Sequence, residues 1–393
     1  MSDLTVKPIT IRGKYNEALV YAKAVEVNCE NKIRQYLDHP AFSNTFVRIM
    51  PDVHLGKSTV IGLTATYCSL IIPTVIGTDI GCGICACNLG RANLRFDKLD
   101  AFIRRNIPAG HAVRSCLHGA LDNMNKFISQ DNNTSDLSDT DHFKVKLRKL
   151  CEKQDRDAER VLASLGTLGG GNHFIEIDID ENHNHWLLIH SGSRVLGANT
   201  AEFHENIALR ETDEDSPIKY LSGQFTDDYI TDIHIVQHYA RVNRALMAHS
   251  IVCGFFKMDI QKMEYLDCVH NCIDIERSII RKGAISAQKD EKVIIPFSMS
   301  EGAILGIGKG NAEWNYSAPH GSGRKRNRTD SRSLSLDEYR KEMRGIWSSI
   351  ICKDTLEESP MAYKKARDIL EYIGETVQIK NRLKPLYNYK VVN

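Results

Sequence analysis

The sequence lacks any apolar run of the roughly 18 residues that a membrane-spanning helix needs, because charged residues or prolines interrupt the longest candidates. Its first ten residues, MSDLTVKPIT, also lack the charged and apolar regions of a secretory signal peptide. Eleven cysteines could form disulfides in a secreted protein, but without such a leader a reducing compartment is the better interpretation. We therefore expect a cytoplasmic protein that does not associate with membranes.

The sequence also lacks a strong net charge. Its formal charge is +1, so attraction to nucleic acid would have to come from local clusters. Basic side chains within residues 323–332 and near the C-terminus are Arg324, Lys325, Arg326, Arg328, Arg332, Lys380, Arg382, Lys384 and Lys390. Runs of this kind usually form a solvated surface, and charge alone does not assign them a binding role.

The length of 393 residues and the hydrophobic content of 42% are compatible with one large α/β domain, and no internal repeat is present. Residues 75–89 predict a buried strand with a tight turn, and residues 173–179 and 186–190 predict two further strands. Apolar spacing predicts helices over residues 144–165 and 228–253. The polar residues 129–141 predict a mobile surface loop.

Several residues suited to metal binding stand at turns and strand ends. Asp79 and Cys82 lie three residues apart in a glycine-rich turn, and histidines follow at positions 173, 190 and 270. A single buried histidine is usually a core residue, but a carboxylate, a thiol and three imidazoles in such positions predict a shared metal site. We interpret Cys85 and Cys87 as small core residues, since no second cysteine pair completes a zinc set.

Other motifs are weaker. His234 and His238 have helical i,i+4 spacing without an intervening glutamate, and we expect them on a polar helix face without a metal. The GKST segment at residues 56–59 lacks the upstream glycine of a phosphate-binding P-loop, and KMDI at residues 257–260 lacks the glycine of a lysine-nucleotidylation motif. In HGSGR, His320 is either a nucleophile toward phosphorus or a surface residue of a glycine-rich turn.

Seven separated blocks resemble, in order and spacing, the RtcB family of RNA ligases from about residue 50 to the C-terminus. The blocks are PDVHLGK, GTDIGCG, GTLGGGNHFIEI, IHSGSR, VHN, IPFSM and APHGSGR, beginning at residues 51, 77, 166, 189, 269, 295 and 318. The resemblance implies a single domain over residues 1–393, with residues 1–50 the least diagnostic part. The implied fold is α/β (α+β), with central β-sandwich-like sheets, surrounding helices and a deep cleft.

The resemblance further implies a GTP-dependent and manganese-dependent ligase acting in tRNA splicing or RNA repair. Such an enzyme joins RNA ends bearing a 2′,3′-cyclic phosphate or 3′-phosphate to 5′-hydroxyl ends, sometimes with an archease-type activating partner. One Mn²⁺ would be held by Asp79, Cys82 and His173, and a second by Cys82, His190 and His270, so that Cys82 bridges the two ions.

The implied nucleophile is His320, which would form a guanylyl-histidine and be oriented by Asp52. Arg194 and Arg324 would contact RNA or GMP phosphates. The implied GTP-binding residues are Asn172, His173, Phe174, Ile175, Glu176, His270, Asn271, Pro296, Phe297, Ser298, Met299, Ala303, His320, Gly321, Ser322, Gly323, Arg324 and Lys390.

Two departures from the family pattern affect the nucleotide pocket. Phe297 replaces a glycine in the PFSMS segment, and Ala303 aligns near a position that often holds serine. Two alternatives therefore stay open. One is a dinuclear phosphoesterase that opens cyclic phosphates or trims RNA ends without His320, and the other is an RNA-end-binding protein that has lost the chemistry.

Overall fold

The computed structural model describes residues 7–129 and 135–391. The strands are β1 (Ile9–Arg12), β2 (Glu17–Val20), β3 (Val47–Leu55), β4 (Val60–Thr66), β5 (Leu70–Ile71), β6 (Gly83–Gly90), β7 (Phe174–Ile179), β8 (His185–Ser191), β9 (Leu221–Ser222), β10 (Tyr265–Val269), β11 (Asn271–Asp274), β12 (Ile279–Lys282), β13 (Ala284–Ser286), β14 (Lys292–Pro296), β15 (Ala303–Gly308), β16 (Ser317–Pro319) and β17 (Val377–Lys390). The α-helices are α1 (Val27–Leu37), α2 (Pro73–Ile76), α3 (Phe96–Asn106), α4 (Leu121–Ser129), α5 (Thr140–Lys153), α6 (Ala158–Ala163), α7 (Arg194–Glu211), α8 (Gln224–His249), α9 (Arg328–Ser331), α10 (Leu336–Glu342) and α11 (Ala366–Leu370).

Two large sheets form the centre of the molecule. The first has six strands in the order β1-β2-β3-β4-β12-β11, and the second has seven in the order β10-β6-β8-β7-β17-β15-β14. All neighbours in the second sheet are antiparallel. Its edge strands β10 and β14 also approach each other, so this sheet is nearly closed. The predicted α/β class with central sheets and surrounding helices is confirmed.

Side-chain alternation separates the two faces of the nearly closed sheet. Ile84, Phe174 and Leu188 belong to an apolar cluster enclosed by the sheet. Cys85 and Cys87, on the opposite face of β6, pack in the larger core beneath the helices, as predicted for small core residues. The predicted strands over residues 173–179 and 186–190 are confirmed as β7 and β8.

The long helix α8 packs against β6, β8 and β11 and also against α4, α5 and α7. It confirms the helix predicted over residues 228–253, and at its C-terminal end it continues into a π-helical turn, Ser250–Phe255. No helix in the two described ranges combines the length and the apolar character that crossing a membrane requires.

The single helix predicted over residues 144–165 is wrong. The chain leaves α5 at Gln154 and passes through Asp155 with φ of 54°, a left-handed conformation that Asp tolerates better than most residues. The Asp157 side chain then caps α6 by accepting hydrogen bonds from the backbone N–H groups of Glu159 and Arg160. The apolar spacing continues across the break because both helices bury their apolar residues in the same core.

Two other segment predictions need revision at their ends. Within the segment 75–89, Val75 and Ile76 close helix α2, and the strand begins only at Gly83 after the turn. Of the predicted loop 129–141, residues 130–134 lie outside the described residues. The described part is packed, since the 3₁₀ turn Ser135–Leu137 buries Leu137 and α5 begins at Thr140.

Candidate metal centre and active-site cleft

The strand order brings the predicted metal ligands to one end of the nearly closed sheet. Cys82 precedes β6, His173 precedes β7, His190 lies near the end of β8, and His270 connects β10 to β11. Because these four strands are antiparallel neighbours in the order β10-β6-β8-β7, the start of one strand meets the end of the next. Cys82 and His270, which are 188 positions apart in the chain, therefore lie at the same end of the sheet.

The ligand atoms form two groups that share Cys82. Its Sγ lies 3.3 Å from Nε2 of His190 and 3.6 Å from Nε2 of His173. Nε2 of His173 is 3.2 Å from Oδ2 of Asp79, and Nε2 of His190 is 3.4 Å from Nε2 of His270. Within each group, Asp79–Cys82–His173 and Cys82–His190–His270, one ligand atom per residue lies within 4.8 Å of the others.

Hydrogen bonds fix the histidine rings in an orientation suited to metal binding. Nδ1 of His173 donates to the carbonyl of Leu168 at 2.9 Å, and Nδ1 of His190 donates to that of Asn172 at 3.1 Å. With the proton on Nδ1, each Nε2 presents a lone pair to the thiol. Burial lowers the pKa of His190 to about 3, which keeps the ring neutral.

The Cys82 thiol must lose its proton to bind a metal, and a nearby cation favours that loss. Burial, and then the Asp79 carboxylate, raise the pKa of the Cys82 thiol well above its ordinary value. Neutral imidazole nitrogens, a carboxylate and a thiol that ionises on coordination form a donor set for first-row divalent cations. The two groups of residues, with Cys82 common to both, are therefore compatible with divalent metal binding.

Backbone features under the cluster explain part of the motif pattern. A Cβ on Gly192 would lie 2.1 Å from Oδ1 of Asp79, so glycine lets the carboxylate lie against this turn. The Asn271 amide donates to the Asp79 carbonyl at 3.0 Å and accepts from the Gly283 N–H at 3.0 Å. Asn271, predicted to bind GTP, thus supports the ligand turn instead of lining the cleft.

His320 stands beside the metal cluster, paired with a buried carboxylate. Its Nδ1 lies 2.6 Å from Oδ2 of Asp52, and its backbone N–H donates to the same oxygen at 3.1 Å. The ring of His320 packs edge-on against His270, with centroids 4.8 Å apart. Gly323 has φ of 67°, and a Cβ there would lie 2.1 Å from the Asp52 carbonyl oxygen, so glycine is needed for this close approach.

A cavity of about 670 Å³ opens in front of His320 and the candidate metal ligands His190 and His270. It contains most of the predicted GTP-binding residues: Asn172, Phe174, Glu176, His270, Pro296, Phe297, Ser298, Met299, His320, Gly321, Ser322, Gly323, Arg324 and Lys390. Burial raises the pKa of Glu176 to about 7, and the Asn388 amide donates to its carboxylate. The deep cleft expected from the sequence is present.

Three other predicted residues do not line this cavity. Ile175 occupies the opposite face of β7 and packs in the main core. Ala303 is buried inside the nearly closed sheet, opposite Pro296 in the β14–β15 ladder. His173 lies behind the wall in the metal cluster. Side-chain alternation along β7, which the motif pattern does not display, separates Ile175 from Phe174 and Glu176, which line the cleft.

Arg194 lies in a second cavity, of about 420 Å³, on the far side of the glycine-rich segment 169–171. Its Nη2 donates to the Gly110 carbonyl at 2.7 Å, and its Nε donates to Oγ1 of Thr167 at 3.2 Å. The two predicted phosphate-binding arginines, Arg194 and Arg324, are therefore in different cavities.

Sequence reasoning missed part of the basic wall of the cleft. Arg328, His54 and Lys57 also line it, and only membership in a basic cluster distinguished Arg328. Nη1 of Arg328 lies 2.6 Å from Oε1 of Glu358, and Nζ of Lys390 lies 3.3 Å from Oε2 of the same carboxylate.

The buried Glu358 is surrounded by more cations than it can neutralise. Burial works to raise its pKa, but Lys390, Arg328 and Arg324 outweigh that effect and lower the pKa to about 2. Glu357 also pairs with Arg328 at 3.0 Å and with Arg332 at 3.1 Å, so two carboxylates face four cationic side chains, which leaves the wall positively charged and suited to an anion. The basic cluster is only partly a solvated surface, because Lys325 and Arg326 are exposed but Arg324 is not.

The histidine pair of α8 is placed differently from the prediction. His238 is buried, with Nε2 2.7 Å from Oδ1 of Asn125, and its ring packs against Phe143. His234 is half-buried and lies 3.4 Å from Asp136. Only part of the expected polar face is exposed, because α4 and α5 cover α8 at His238 whereas Thr231 is exposed. Neither histidine joins a metal-binding group among residues 7–129 and 135–391.

Comparisons with known proteins agree with this geometry. The chain matches the family model described as tRNA-splicing ligase RtcB over residues 35–391. It is 30% identical to RNA-splicing ligase RtcB1 of Escherichia coli strain ATCC 25922 over 394 residues, covering 92% of this chain and 94% of that protein. The RNA-splicing ligase RtcB of strain K12 is likewise 30% identical, with the same coverage of both chains. The tRNA-splicing ligase RtcB of Nanoarchaeum equitans is 27% identical over 83% of this chain and 84% of its own.

Proposed function

The chain belongs to the RtcB family of RNA-splicing ligases, and we propose that it is a GTP- and Mn²⁺-dependent ligase that works through a guanylyl-histidine at His320. It would join RNA ends bearing a 2′,3′-cyclic phosphate or 3′-phosphate to 5′-hydroxyl ends, in tRNA splicing or RNA repair. The observation that carries this proposal is the Asp52–His320 pair, with its 2.6 Å contact, next to the two candidate ligand groups that share Cys82.

The hydrogen bond to Asp52 supports the role of His320 as a nucleophile. With its Nδ1 proton held by the carboxylate, His320 has a lone pair on Nε2 and faces the cleft. In the proposed first step, Nε2 attacks the α-phosphorus of GTP, an N–P bond forms, and the P–O bond to pyrophosphate breaks. Asp52 stabilises the positive charge that the ring acquires.

The composition of the cleft supports GTP as the nucleotide. Lys57, Arg324, Arg328 and Lys390 provide positive charge for a triphosphate. The Glu176 carboxylate supplies acceptor oxygens that complement the N–H donors of guanine.

The metal ions would be held by Asp79, Cys82 and His173 in one site and by Cys82, His190 and His270 in the other. When bound, two Mn²⁺ ions would neutralise phosphate charge, activate a bound water or hydroxyl, and orient in-line attack. The choice of manganese rests on the family resemblance, since the donor set itself accepts several divalent cations.

The remaining steps concern RNA. A cyclic phosphate is first opened by water to a 3′-phosphate, whose oxygen then attacks the guanylyl phosphorus and releases His320. The 5′-hydroxyl oxygen attacks the activated 3′-phosphorus, loses its proton, and expels GMP. Arg324 in the main cleft and Arg194 in the second cavity are proposed contacts for the phosphates of the RNA ends or of GMP. An archease-type protein is the proposed activating partner.

A cytoplasmic location fits this reaction and the cysteine chemistry. All eleven cysteines are free in the structure, including the proposed metal ligand Cys82.

The test is covalent labelling with α-³²P-GTP and Mn²⁺. We expect a protein adduct that is labile in acid and stable in base, as a phosphoramidate is, followed by ligation of a short RNA with defined ends. His320→Ala should remove the label. The matched control is His234→Ala, which alters another histidine beside an aspartate but outside the cleft. An adduct that survives in His320→Ala would contradict the proposed nucleophile.

A second candidate function is a dinuclear phosphoesterase acting on RNA ends. It is favoured by the fact that neither ligand group includes His320, so metal-dependent hydrolysis could proceed without it. Opening of a cyclic phosphate without GTP, in a protein that neither forms an adduct nor ligates, would support this alternative. Salt-sensitive binding of broken RNA without any reaction would instead indicate an RNA-end-binding protein.

A further inference from the structure

Two consecutive residues of α8 lie directly behind the metal cluster. Asn243 and Arg244 are fully buried, and neither belongs to the proposed ligand groups. Their side chains contact the backbone of the segments that carry the ligands.

The Arg244 guanidinium joins three of these segments. Nη1 donates to the Gly81 carbonyl at 2.9 Å and to the Ser191 carbonyl at 2.8 Å. Nε and Nη2 form a bidentate pair with Asp267, in which Nη2 lies 2.7 Å from Oδ2. All four contacts come from one planar group, so they fix the three segments relative to one another.

Each of these contacts is close in sequence to a different proposed ligand. Gly81 immediately precedes Cys82, Ser191 immediately follows His190, and Asp267 lies three residues before His270. Arg244 thus contacts all three segments that supply the Cys82–His190–His270 group.

The Asn243 amide performs the same task for the other group. Its Oδ1 accepts from the N–H groups of Gly166 and Thr167 at 2.8 and 3.0 Å, in the segment that leads to His173. Its Nδ2 donates to Oγ of Ser191 at 3.2 Å and to the Gly192 carbonyl at 3.1 Å.

Hydrogen bonds through Ser191 and the Leu168 carbonyl connect the Asn243 amide to the His173 ring. Oγ of Ser191 donates to the Leu168 carbonyl at 2.8 Å, and the same carbonyl accepts the Nδ1 proton of His173 at 2.9 Å. Gly192, the other Asn243 contact, is the residue against which the Asp79 carboxylate lies.

We propose that Asn243 and Arg244 are positioning residues that set the ligand geometry of the two metal sites from behind the sheet. Arg244 serves the Cys82–His190–His270 site, and Asn243 serves the Asp79–Cys82–His173 site. The inference rests on the metal centre of the proposed function. Outer contacts of this type orient metal ligands and typically change affinity by about 10- to 100-fold.

The experiment is a titration of the full chain with Mn²⁺. The electron paramagnetic resonance signal of the free ion measures the number and the affinity of the binding sites and does not depend on turnover. Arg244→Lys keeps a positive charge beside Asp267 but cannot hold all three segments. We expect it to weaken one of two Mn²⁺ sites by about 10- to 100-fold. Asn243→Ala should weaken the other site by a similar factor, and it carries the test if Arg244→Lys does not fold.

The matched control is Arg281→Lys. Arg281 is another buried arginine, paired with Asp274 at 3.1 Å and with Oγ of Ser317 at 2.9 Å, at the far end of β11 and on β16. Thermal unfolding of the metal-free proteins compares the loss of stability, and only the α8 variants should lose Mn²⁺ affinity.

Three results would overturn the inference. If both α8 variants bind two Mn²⁺ ions as the unsubstituted chain does, or if Arg281→Lys weakens binding equally, the positioning role is wrong while the metal centre stands. If the unsubstituted chain binds no Mn²⁺, the metal centre of the proposed function fails, and this inference fails with it.

Discussion

Two histidine–aspartate pairs in this protein have almost the same hydrogen-bond length and very different surroundings, and they use different ring nitrogens, Nδ1 in His320 and Nε2 in His204. At the cleft, His320 lies 2.6 Å from Asp52, and in the helical layer, His204 of α7 lies 2.7 Å from Asp232 of α8. The His204 side chain is 0% exposed, whereas that of His320 is 19% exposed and faces the cavity.

The groups around the two carboxylates differ as well. Asp232 also binds Lys153 at 2.7 Å, so its charge is compensated inside the helical layer. Asp52 receives both the ring N–H and the backbone N–H of His320, and this histidine packs against His270 of the metal cluster. A histidine–aspartate pair is therefore not a functional signature by itself. Access to a cavity and the neighbouring groups distinguish the cleft from the helical layer.

The largest expected effect compares Cys82, just before β6, with Cys85 within that strand. Cys82→Ala should remove the bridging ligand, so bound Mn²⁺ falls from two ions per chain and RNA ligation is lost, although His320 stays in place. Cys85→Ala, on the helical face, should cost about 1 kcal/mol of unfolding free energy and leave metal content unchanged. Elemental analysis after gel filtration measures the metal. Full metal content in Cys82→Ala would contradict the bridging role.

The next effect compares the two carboxylates directly. Asp52→Asn should reduce the rate of adduct formation by about 10²- to 10⁴-fold, because the amide cannot hold His320 in the required tautomer or stabilise its charge. Asp232→Asn should lower stability and leave the adduct rate per folded molecule unchanged. Single-turnover labelling with GTP, combined with urea unfolding, separates these outcomes. Equal loss of labelling in both variants would remove the proposed difference between the regions.

Part of the acid sensitivity should come from the helical layer. Burial, and then Arg241, lower the pKa of His238 to about 3. Below the ordinary histidine pKa of about 6.5, the unfolded chain binds a proton that the folded chain does not bind. The stability provided by the neutral ring is therefore present above pH 6.5 and declines as the pH falls toward 3.

The variant that tests this behaviour is His238→Gln, which should flatten the pH dependence of the urea midpoint over that range. His142→Gln, at an exposed position in α5, is the control and should leave the curve unchanged. A wild-type slope in His238→Gln would show that other groups cause the acid sensitivity.

The smallest effect concerns nucleotide selection in the cleft. Phe297, where the family pattern has glycine, lines the cavity and packs against the apolar cluster of the nearly closed sheet. Phe297→Ala should raise the KM for GTP by about threefold to tenfold with little change in kcat, because part of an apolar contact is lost. Phe46→Ala, at an exposed position, is the control. A large loss of kcat would instead place Phe297 in the chemical step.

Some parts of the site could be read from the sequence because local spacing encodes them. Strands β7 and β8 alternate or are uniformly apolar over short stretches, and the glycine-rich turn at Cys82 has a recognisable composition. The prediction of one helix over residues 144–165 is wrong because Asp155, in a left-handed conformation, separates α5 from α6 without disturbing the apolar spacing.

Other parts depended on packing. The spacing of His234 and His238 predicts a polar helix face, but α4 and α5 pack over His238 and bury it. In the sequence Arg328 is one of several clustered basic residues, and only its ion pair with Glu358 in the structure places it at the wall of the cleft. Neither fact is local, so no pattern within one segment could contain it.

The sequence by itself determined the ligand types, the nucleophile candidate and the family resemblance, since these depend on residue identity and order. The tertiary structure decided which residues share a site. Antiparallel pairing aligns the ends of β10, β6, β8 and β7 and so gathers one thiol, one carboxylate and three imidazoles. It also decided that Asp52 serves His320 while Asp232 remains enclosed, because access and neighbouring charge arise only when distant segments pack together.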